Sequence, residues 1–337
     1  MANAHLVVDE LVDLTALRDQ ELLDFSLLKT VGKFLTPSGM QLLTLDTKAR
    51  PLLQIAYRHD KYLLNRDQIS LAEEVTTAIE RIGMARDGEF THPCAEGFLV
   101  AYALHASRSS RSYLVVEVSE PVSKLNAHLV SGLLQIYRNF CNLLEESQRD
   151  PLTGLANRKS FDDRLQRAFS QQPLPDEVPE ERRAQPGREL WLAMIDIDNF
   201  KAVNDRFGHL YGDEVLLLMA QLMTGLFREG DLVFRFGGEE FVVILRCEGQ
   251  AACRVCLERF RRAVEERTFP QIGVVTVSIG VARLARDVFP VTLLDYADQA
   301  LYHSKKSGKN RVTFFDDLLA AGLASVKEVV DGGVTLF

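Results

Sequence analysis

Along the first 120 residues the apolar positions switch between a helical period and an alternating one. The pattern predicts a helix near 18–34, extended runs at MQLLTLD (40–46) and PLLQIAYR (51–58), and a second helix near 67–82. GFLVAYALH (97–105) and SYLVVEV (112–118) then read as a hairpin around the polar turn SRSSR. An antiparallel sheet with flanking helices is the simplest architecture for such a series. From Lys124 to Arg149 the period becomes that of a long helix: Leu129, Leu133, Ile136, Phe140 and Leu143 recur at spacings of four, three, four and three, an a/d seam suited to pairing with a second copy. Val130, Leu134, Tyr137 and Leu144 widen this stripe, so the same helix is also suited to packing on its own domain.

Beyond residue 150 helices and strands alternate. A helix over Arg158–Ser170, a strand at LWLAMID, a helix near 209–226, a strand at LVFRF, the turn GGEE and a strand at FVVILRC come first. A helix over 251–266, a strand at VTVSIGVARL, a helix over 292–306 and a last strand at RVTFF follow. The central βαββαβ run predicts a ferredoxin-like sheet, so the fold class is α+β throughout. The proline- and charge-rich stretch 171–189 predicts an exposed loop. The expected division is a regulatory domain at 1–120, a helical linker at 121–149, a catalytic domain at 150–320 and a tail at 321–337.

The 337 residues suit two domains, and 47% hydrophobic with 26% charged residues is enough to bury a core in each. A formal net charge of −8 argues against nucleic acid or an anionic membrane as partner. There is no apolar run long enough to span a bilayer, and the opening MANAHLVVDELVD lacks the charged and apolar segments of a leader, so a cytoplasmic address is expected. The five cysteines (94, 141, 247, 253 and 256) are an odd set; Cys253 and Cys256 sit inside a helix-like stretch without the two further ligands a zinc site would need nearby, and all five read as reduced packing thiols.

The chemistry gathers at one end of the second sheet. In a βαββαβ sheet the first strand lies beside the third and antiparallel to it, so Asp196, ending the first, comes to the same edge as Glu239 and Glu240 at the hairpin tip. Carboxylates brought together in this way need a cation, and hard oxygen ligands with room for water and phosphate suit Mg²⁺ or Mn²⁺. Gly237 and Gly238 permit a tight turn and let a substrate approach the backbone. An acidic hairpin tip alone is commonly a surface turn, but Lys201, Asn204 and Asp213 place a cation, an amide and another carboxylate near the same edge. Asn204 and Asp213 are suited to guanine, whose N1–H and exocyclic amine pair with a carboxylate.

DPLTGLANR (150–158), DIDNFKAVND (196–205), GHLYGD (208–213), RFGGEEF (235–241), VSIGVA (277–282) and ALYHSKKSGKNR (300–311) together resemble the GGDEF family of diguanylate cyclases, in its GGEEF form, over roughly residues 148–316. The resemblance implies an enzyme that condenses two GTP into cyclic di-GMP and pyrophosphate as a homodimer. It implies Asp196, the carbonyl of Ile197 and Glu239 as metal ligands, and Glu240 as a further ligand or the general base. It gives Asn204 and Asp213 to guanine, His209 to the nucleotide pocket, Lys201 to a place near the phosphates, and Lys305 and Lys309 to the terminal phosphates. At Lys309 the family more often has Arg, so a point charge replaces a bidentate fork. Arg228 and Asp231 match the family's RxxD inhibitory site for cyclic di-GMP, with Arg259 as an extra contact from a neighbouring domain. The alternative is a catalytically silent receptor for GTP or cyclic di-GMP, although such members commonly lose the acidic signature. An adenine-accepting cyclase is the other rival, and Asp213 speaks against it. The first 120 residues resemble GAF and PAS sensory domains in pattern, with His92, Cys94 and His105 as candidate contacts for an unidentified ligand.

Overall fold

The structure, a computed structural model, describes residues 19–325 apart from 59–60, 67–68, 83–87, 95–96, 108–109, 171–188, 229 and 285–289. The expected loop at 171–189 and most of the 321–337 tail therefore lie outside the described residues, apart from Glu189 and residues 321–325. The chain forms two compact units, Met1–Glu146 and Ser147–Phe337.

In the first unit the elements are α1 (Gln20–Leu35), β1 (Gly39–Asp46), β2 (Pro51–Arg58), β3 (Lys61–Asn65), α2 (Glu73–Ile82), β4 (Glu89–Cys94), β5 (Gly97–Ala106), β6 (Ser110–Val118) and α3 (Lys124–Ser147). Asp19 caps α1, its carboxylate accepting from the N–H groups of Glu21 and Leu22. The six strands pair in the order β3-β2-β1-β6-β5-β4, antiparallel at each ladder. Both edge strands escape the hydrophobic pattern. β3 is short and largely exposed, and β4 carries Pro93, which an edge strand tolerates because one side of it needs no ladder.

Alternation divides the sheet's side chains between two layers. Leu42, Val100 and Val116 face α1 and α3, while Leu43, Ala101 and Val115 face α2. The residues α3 buries are Val130, Leu133, Leu134, Tyr137 and Cys141. The stripe is thus rotated from the predicted seam, with which it shares Leu133, because the sheet takes the widening residues. Leu125, Ile136 and Leu143 remain exposed.

The second unit contains β7 (Ala156–Asn157), a 3₁₀ turn (Arg158–Ser160), α4 (Phe161–Ser170), β8 (Glu189–Ile197), α5 (Phe200–Phe207), α6 (His209–Leu226), β9 (Leu232–Gly237) and β10 (Glu240–Cys247). It continues through α7 (Gly249–Glu266), β11 (Thr268–Phe269), β12 (Gly273–Val274), β13 (Val277–Arg283), α8 (Pro290–Lys306), β14 (Val312–Phe314) and α9 (Phe315–Ala320). The main sheet runs β14-β13-β8-β10-β9-β7, whose middle four strands are the ferredoxin-like order expected of the βαββαβ run. α5 and α9 are additions, each too short to show a clear helical period.

Along β8, Trp191, Ala193, Ile195 and Ile197 pack beneath α6 and α7, whereas Leu190, Leu192 and Met194 pack beneath α4 and α8. Each large side chain buried this way contributes about 1.5–3 kcal/mol. The same parity directs residue 196 to the α8 layer. Gly280 on β13 sets how closely that helix approaches: a Cβ there would stand 2.1 Å from the Leu301 nitrogen and 2.2 Å from the Ala297 oxygen.

Candidate active site

Asp196 lies directly across from Glu240 in the β8–β10 ladder and across from Ser278 in the β8–β13 ladder. Glu240 follows the turn Gly238–Glu239, and the β9–β10 register shifts between Glu240 and Phe241, a bulge that lets the tip turn without disturbing the core-facing residues behind it. Of the two glycines only Gly238 has positive φ, at 21°, and a Cβ at either Gly237 or Gly238 would meet nothing closer than 3.5 Å. The open space above the tip, more than turn strain, is what these glycines provide.

The tip is held from the side by Arg235. Its guanidinium donates to both Asp150 oxygens at 2.9 and 3.1 Å and to the Gly238 carbonyl at 3.1 and 2.8 Å. Asp150 is fixed in turn by Thr153, which donates through its N–H and its hydroxyl, and these bonds with Arg235 hold its carboxyl below the ordinary value against the opposing effect of burial. Neither residue stands out by periodicity or charge pattern; in the sequence they are marked only by lying within DPLTG and RFGGEEF.

Asp196 is 5% exposed, and Lys305 Nζ of α8 stands 2.7 Å from its Oδ2. Burial pushes the Asp196 carboxyl up, and Lys305 pulls it back. Glu239 is raised by burial and then by the charge of Asp196, with Glu240 adding to the effect. Among the described residues no three carboxylate, histidine or cysteine side chains converge tightly enough to hold a metal. The set at this edge is the carboxylate pair Asp196 and Glu239, flanked by the backbone at Ile197, whose N–H reaches the Glu239 carbonyl at 3.4 Å. Two carboxylates and a carbonyl suit a hard divalent cation that keeps its other positions for water and phosphate.

Asn204 is on α5 and Asp213 on α6, with the break at Gly208, φ 91°, between the two helices. A Cβ at Gly212 would lie 2.0 Å from Asn204 Oδ1, so glycine is what allows the amide to sit beside the residue preceding Asp213. Asp213, His209 and Lys201 are exposed. Lys309 donates to Asn199 Oδ1 at 2.6 Å.

At the far end of α6, Arg228 and Asp231 close a turn: the Arg228 N–H donates to Asp231 Oδ2 and the Asp231 N–H to the Arg228 carbonyl, both at 2.9 Å. Arg259 of α7 donates to the Leu226 carbonyl at 3.0 Å, at the end of α6 that leads into this turn. In the first unit, His92 and Cys94 are on β4, while His105, near the end of β5, lies 3.3 Å from Glu145 Oε1. β4 pairs with the start of β5, His92 opposite Leu99, so the three are not gathered.

A sequence model of the family described as "Diguanylate cyclase, GGDEF domain" matches residues 147–311. The chain is 37% identical over 190 residues to the diguanylate cyclase DgcP of Pseudomonas aeruginosa, covering 54% of this chain and 27% of that one. It is 36% identical over 179 residues to DgcZ of Escherichia coli, covering 51% of this chain and 54% of that one. A crystal structure of the GGDEF domain of DgcB from Caulobacter crescentus in complex with c-di-GMP is 35% identical, with 50% of this chain and 96% of that chain covered and a TM-score of 0.44. The chain belongs to the GGDEF-domain diguanylate cyclase family. The family match covers residues 147–311 of the second unit, and the chain spans about a quarter of DgcP and about half of DgcZ. Among the described residues no helix is long and apolar enough to cross a membrane.

Proposed function

We propose that this protein is a cytoplasmic diguanylate cyclase that joins two GTP molecules into cyclic di-GMP as a homodimer. The observation that carries the reading is the pairing of Asp196 with Glu240 at an open sheet end, beneath a glycine turn and beside Lys305. Asp196, the Ile197 carbonyl and Glu239 would hold Mg²⁺ or Mn²⁺, which would supply neutralisation of phosphate charge and activation of a 3′-hydroxyl. Glu240 is a further ligand or takes the hydroxyl proton. Asp213 accepts from guanine N1–H and the exocyclic amine, Asn204 pairs with the remaining edge, and His209 lines the pocket. Lys201, Lys305 and Lys309 hold phosphates, and Gly237 and Gly238 leave room for the nucleotide.

Each 3′-oxygen forms a bond to the α-phosphorus of the other GTP as the bond to the β-phosphate breaks, so two pyrophosphates leave per cyclic product. One such site holds one GTP, and two copies must face each other about a two-fold axis. The exposed Leu125, Ile136 and Leu143 of α3 offer an apolar seam for that pairing. Residues 1–120 act as a GAF/PAS-like regulatory domain with its own ligand, 121–149 transmit its state, and 150–320 carry catalysis. Cyclic di-GMP inhibits by binding at Arg228, Asp231 and Arg259.

Purified full-length protein incubated with GTP and Mg²⁺ is expected to yield cyclic di-GMP and pyrophosphate, resolved by chromatography, whereas Glu239→Ala and Glu240→Ala yield neither. Absence of product from wild type stripped of bound cyclic di-GMP would count against the reading.

A further inference from the structure

Asp198 lies two residues past Asp196, just beyond the end of β8, and has no part in the scheme above. Its residue is nevertheless only 5% exposed, and its carboxylate is fully engaged. Ser278 Oγ donates to Oδ1 at 2.7 Å, while Thr276 Oγ1 at 2.7 Å and the Asn310 N–H at 3.0 Å donate to Oδ2. A carboxylate leaves water only where donors replace its hydration, and here each oxygen is met by the protein. Both oxygens are therefore held, by Thr276 just before β13, by Ser278 within it and by the loop after α8.

The bond to Asn310 has the clearest consequence. Lys309 and Asn310 both adopt positive φ, 63° and 48°, an uphill conformation for residues with a Cβ that persists where the surroundings impose it. The end of β8 imposes it twice: Asp198 takes the Asn310 N–H, and Asn199, itself at φ 59°, takes the Lys309 ammonium. From the other side the Asn310 side chain accepts from Arg261 at 2.6 Å and donates to Glu265 at 2.7 Å, both on α7. The loop is also tied to α8, since the Lys309 N–H donates to the Ser304 carbonyl, one residue before Lys305.

We infer that Asp198 is a positioning residue: it anchors the Lys309–Asn310 turn to the end of β8 so that Lys305 and Lys309 meet the terminal phosphates of a nucleotide whose α-phosphate lies at Asp196. The inference rests on the cyclase reading. It separates Asp198 from its neighbour Asp196, because removing Asp198 weakens the grip on the terminal phosphates and leaves the nucleoside end untouched.

Calorimetric titration of the full-length protein with α,β-methylene-GTP and with GMP, both with Mg²⁺ present, tests this. Asp198→Ala is expected to weaken the triphosphate analogue tenfold or more while GMP binding stays within twofold. Asp198→Asn, which keeps an oxygen for the Asn310 N–H, is expected to recover most of the loss. Should Asp198→Ala fail to fold, Thr276→Val, which frees the carboxylate oxygen that holds the loop, is expected to weaken the analogue about threefold with GMP again unchanged. Equal losses for both ligands, or no loss for the triphosphate, overturn the inference while leaving the cyclase reading intact. Wild type that binds neither nucleotide overturns both.

Discussion

Lys305 Nζ stands 2.7 Å from Asp196 Oδ2, so the carboxylate proposed for the metal already has a cation against it. On that proposal the ammonium and a divalent ion compete for the same oxygen in the nucleotide-free protein; once a triphosphate binds, its oxygens offer the lysine another partner. Lys305→Ala is therefore expected to tighten Mn²⁺ binding to the nucleotide-free protein severalfold and to raise the KM for GTP at least tenfold. Mn²⁺ titration followed by water-proton relaxation, beside steady-state kinetics, separates the two effects. Unchanged Mn²⁺ affinity would show that the pair is incidental.

Arg235 spans two groups at once, the Asp150 carboxylate and the Gly238 carbonyl, through its planar fork. A lysine cannot hold both. Arg235→Lys is expected to lower kcat tenfold or more by loosening the Glu239–Glu240 turn, with a stability loss of about 1–2 kcal/mol in urea unfolding. Full activity in that variant would remove the clamp from the mechanism.

Gly280 faces the backbone of α8, and an added methyl would fall 2.1 Å from the Leu301 nitrogen. Gly280→Ala must push the helix outward. The expected cost is about 1–3 kcal/mol, and the KM for GTP should rise because Lys305 travels with the helix. Chemical denaturation and kinetics on the same preparation check both parts.

Arg228 and Asp231 form a turn held by the Asp231 carboxylate and by the N–H and carbonyl of the Arg228 main chain. Arg228→Ala is thus expected to leave the turn and kcat in place while raising the cyclic di-GMP concentration for half inhibition at least tenfold. Unaltered product inhibition would take the inhibitory role away from this corner.

Asp24 in α1 is buried against α3, accepting from the Tyr137 hydroxyl at 2.5 Å and from Gln20 at 2.8 Å. Burial pushes its carboxyl from 3.8 up to about 6, against the pull of those two bonds. Between these values the folded chain keeps a proton that the unfolded chain releases, so Asp24 makes stability fall as pH rises through this window, by about 3 kcal/mol in all. Asp24→Asn keeps the acceptor and drops the titration. The variant should gain stability over wild type at pH 7.5 and lose that advantage near pH 4, measured by thermal unfolding at the two values.

The amino-acid sequence by itself determined the principal strands and helices, though not the edge strands β3 and β4 or the short α5 and α9, and it determined where the acidic edge lies. Asp196 terminates an apolar strand, Glu239 and Glu240 follow a glycine pair between two others, and the βαββαβ order brings strand one beside strand three; periodicity and connectivity are local properties that survive in one dimension. The rotation of α3 was not legible, because its stripe is wide enough to serve either a partner or the sheet, and only the packing of Tyr137 and Cys141 decided for the sheet. Nor were Asp198, Asp150 or Gly280. Their partners, Asn310, Arg235 and the α8 backbone, are separated from them by long stretches of chain, and a hydrogen bond or a close approach between distant segments leaves no period to read. Tertiary structure settled those, since only the assembled sheet brings the end of β8, the hairpin tip and the loop after α8 within bonding distance.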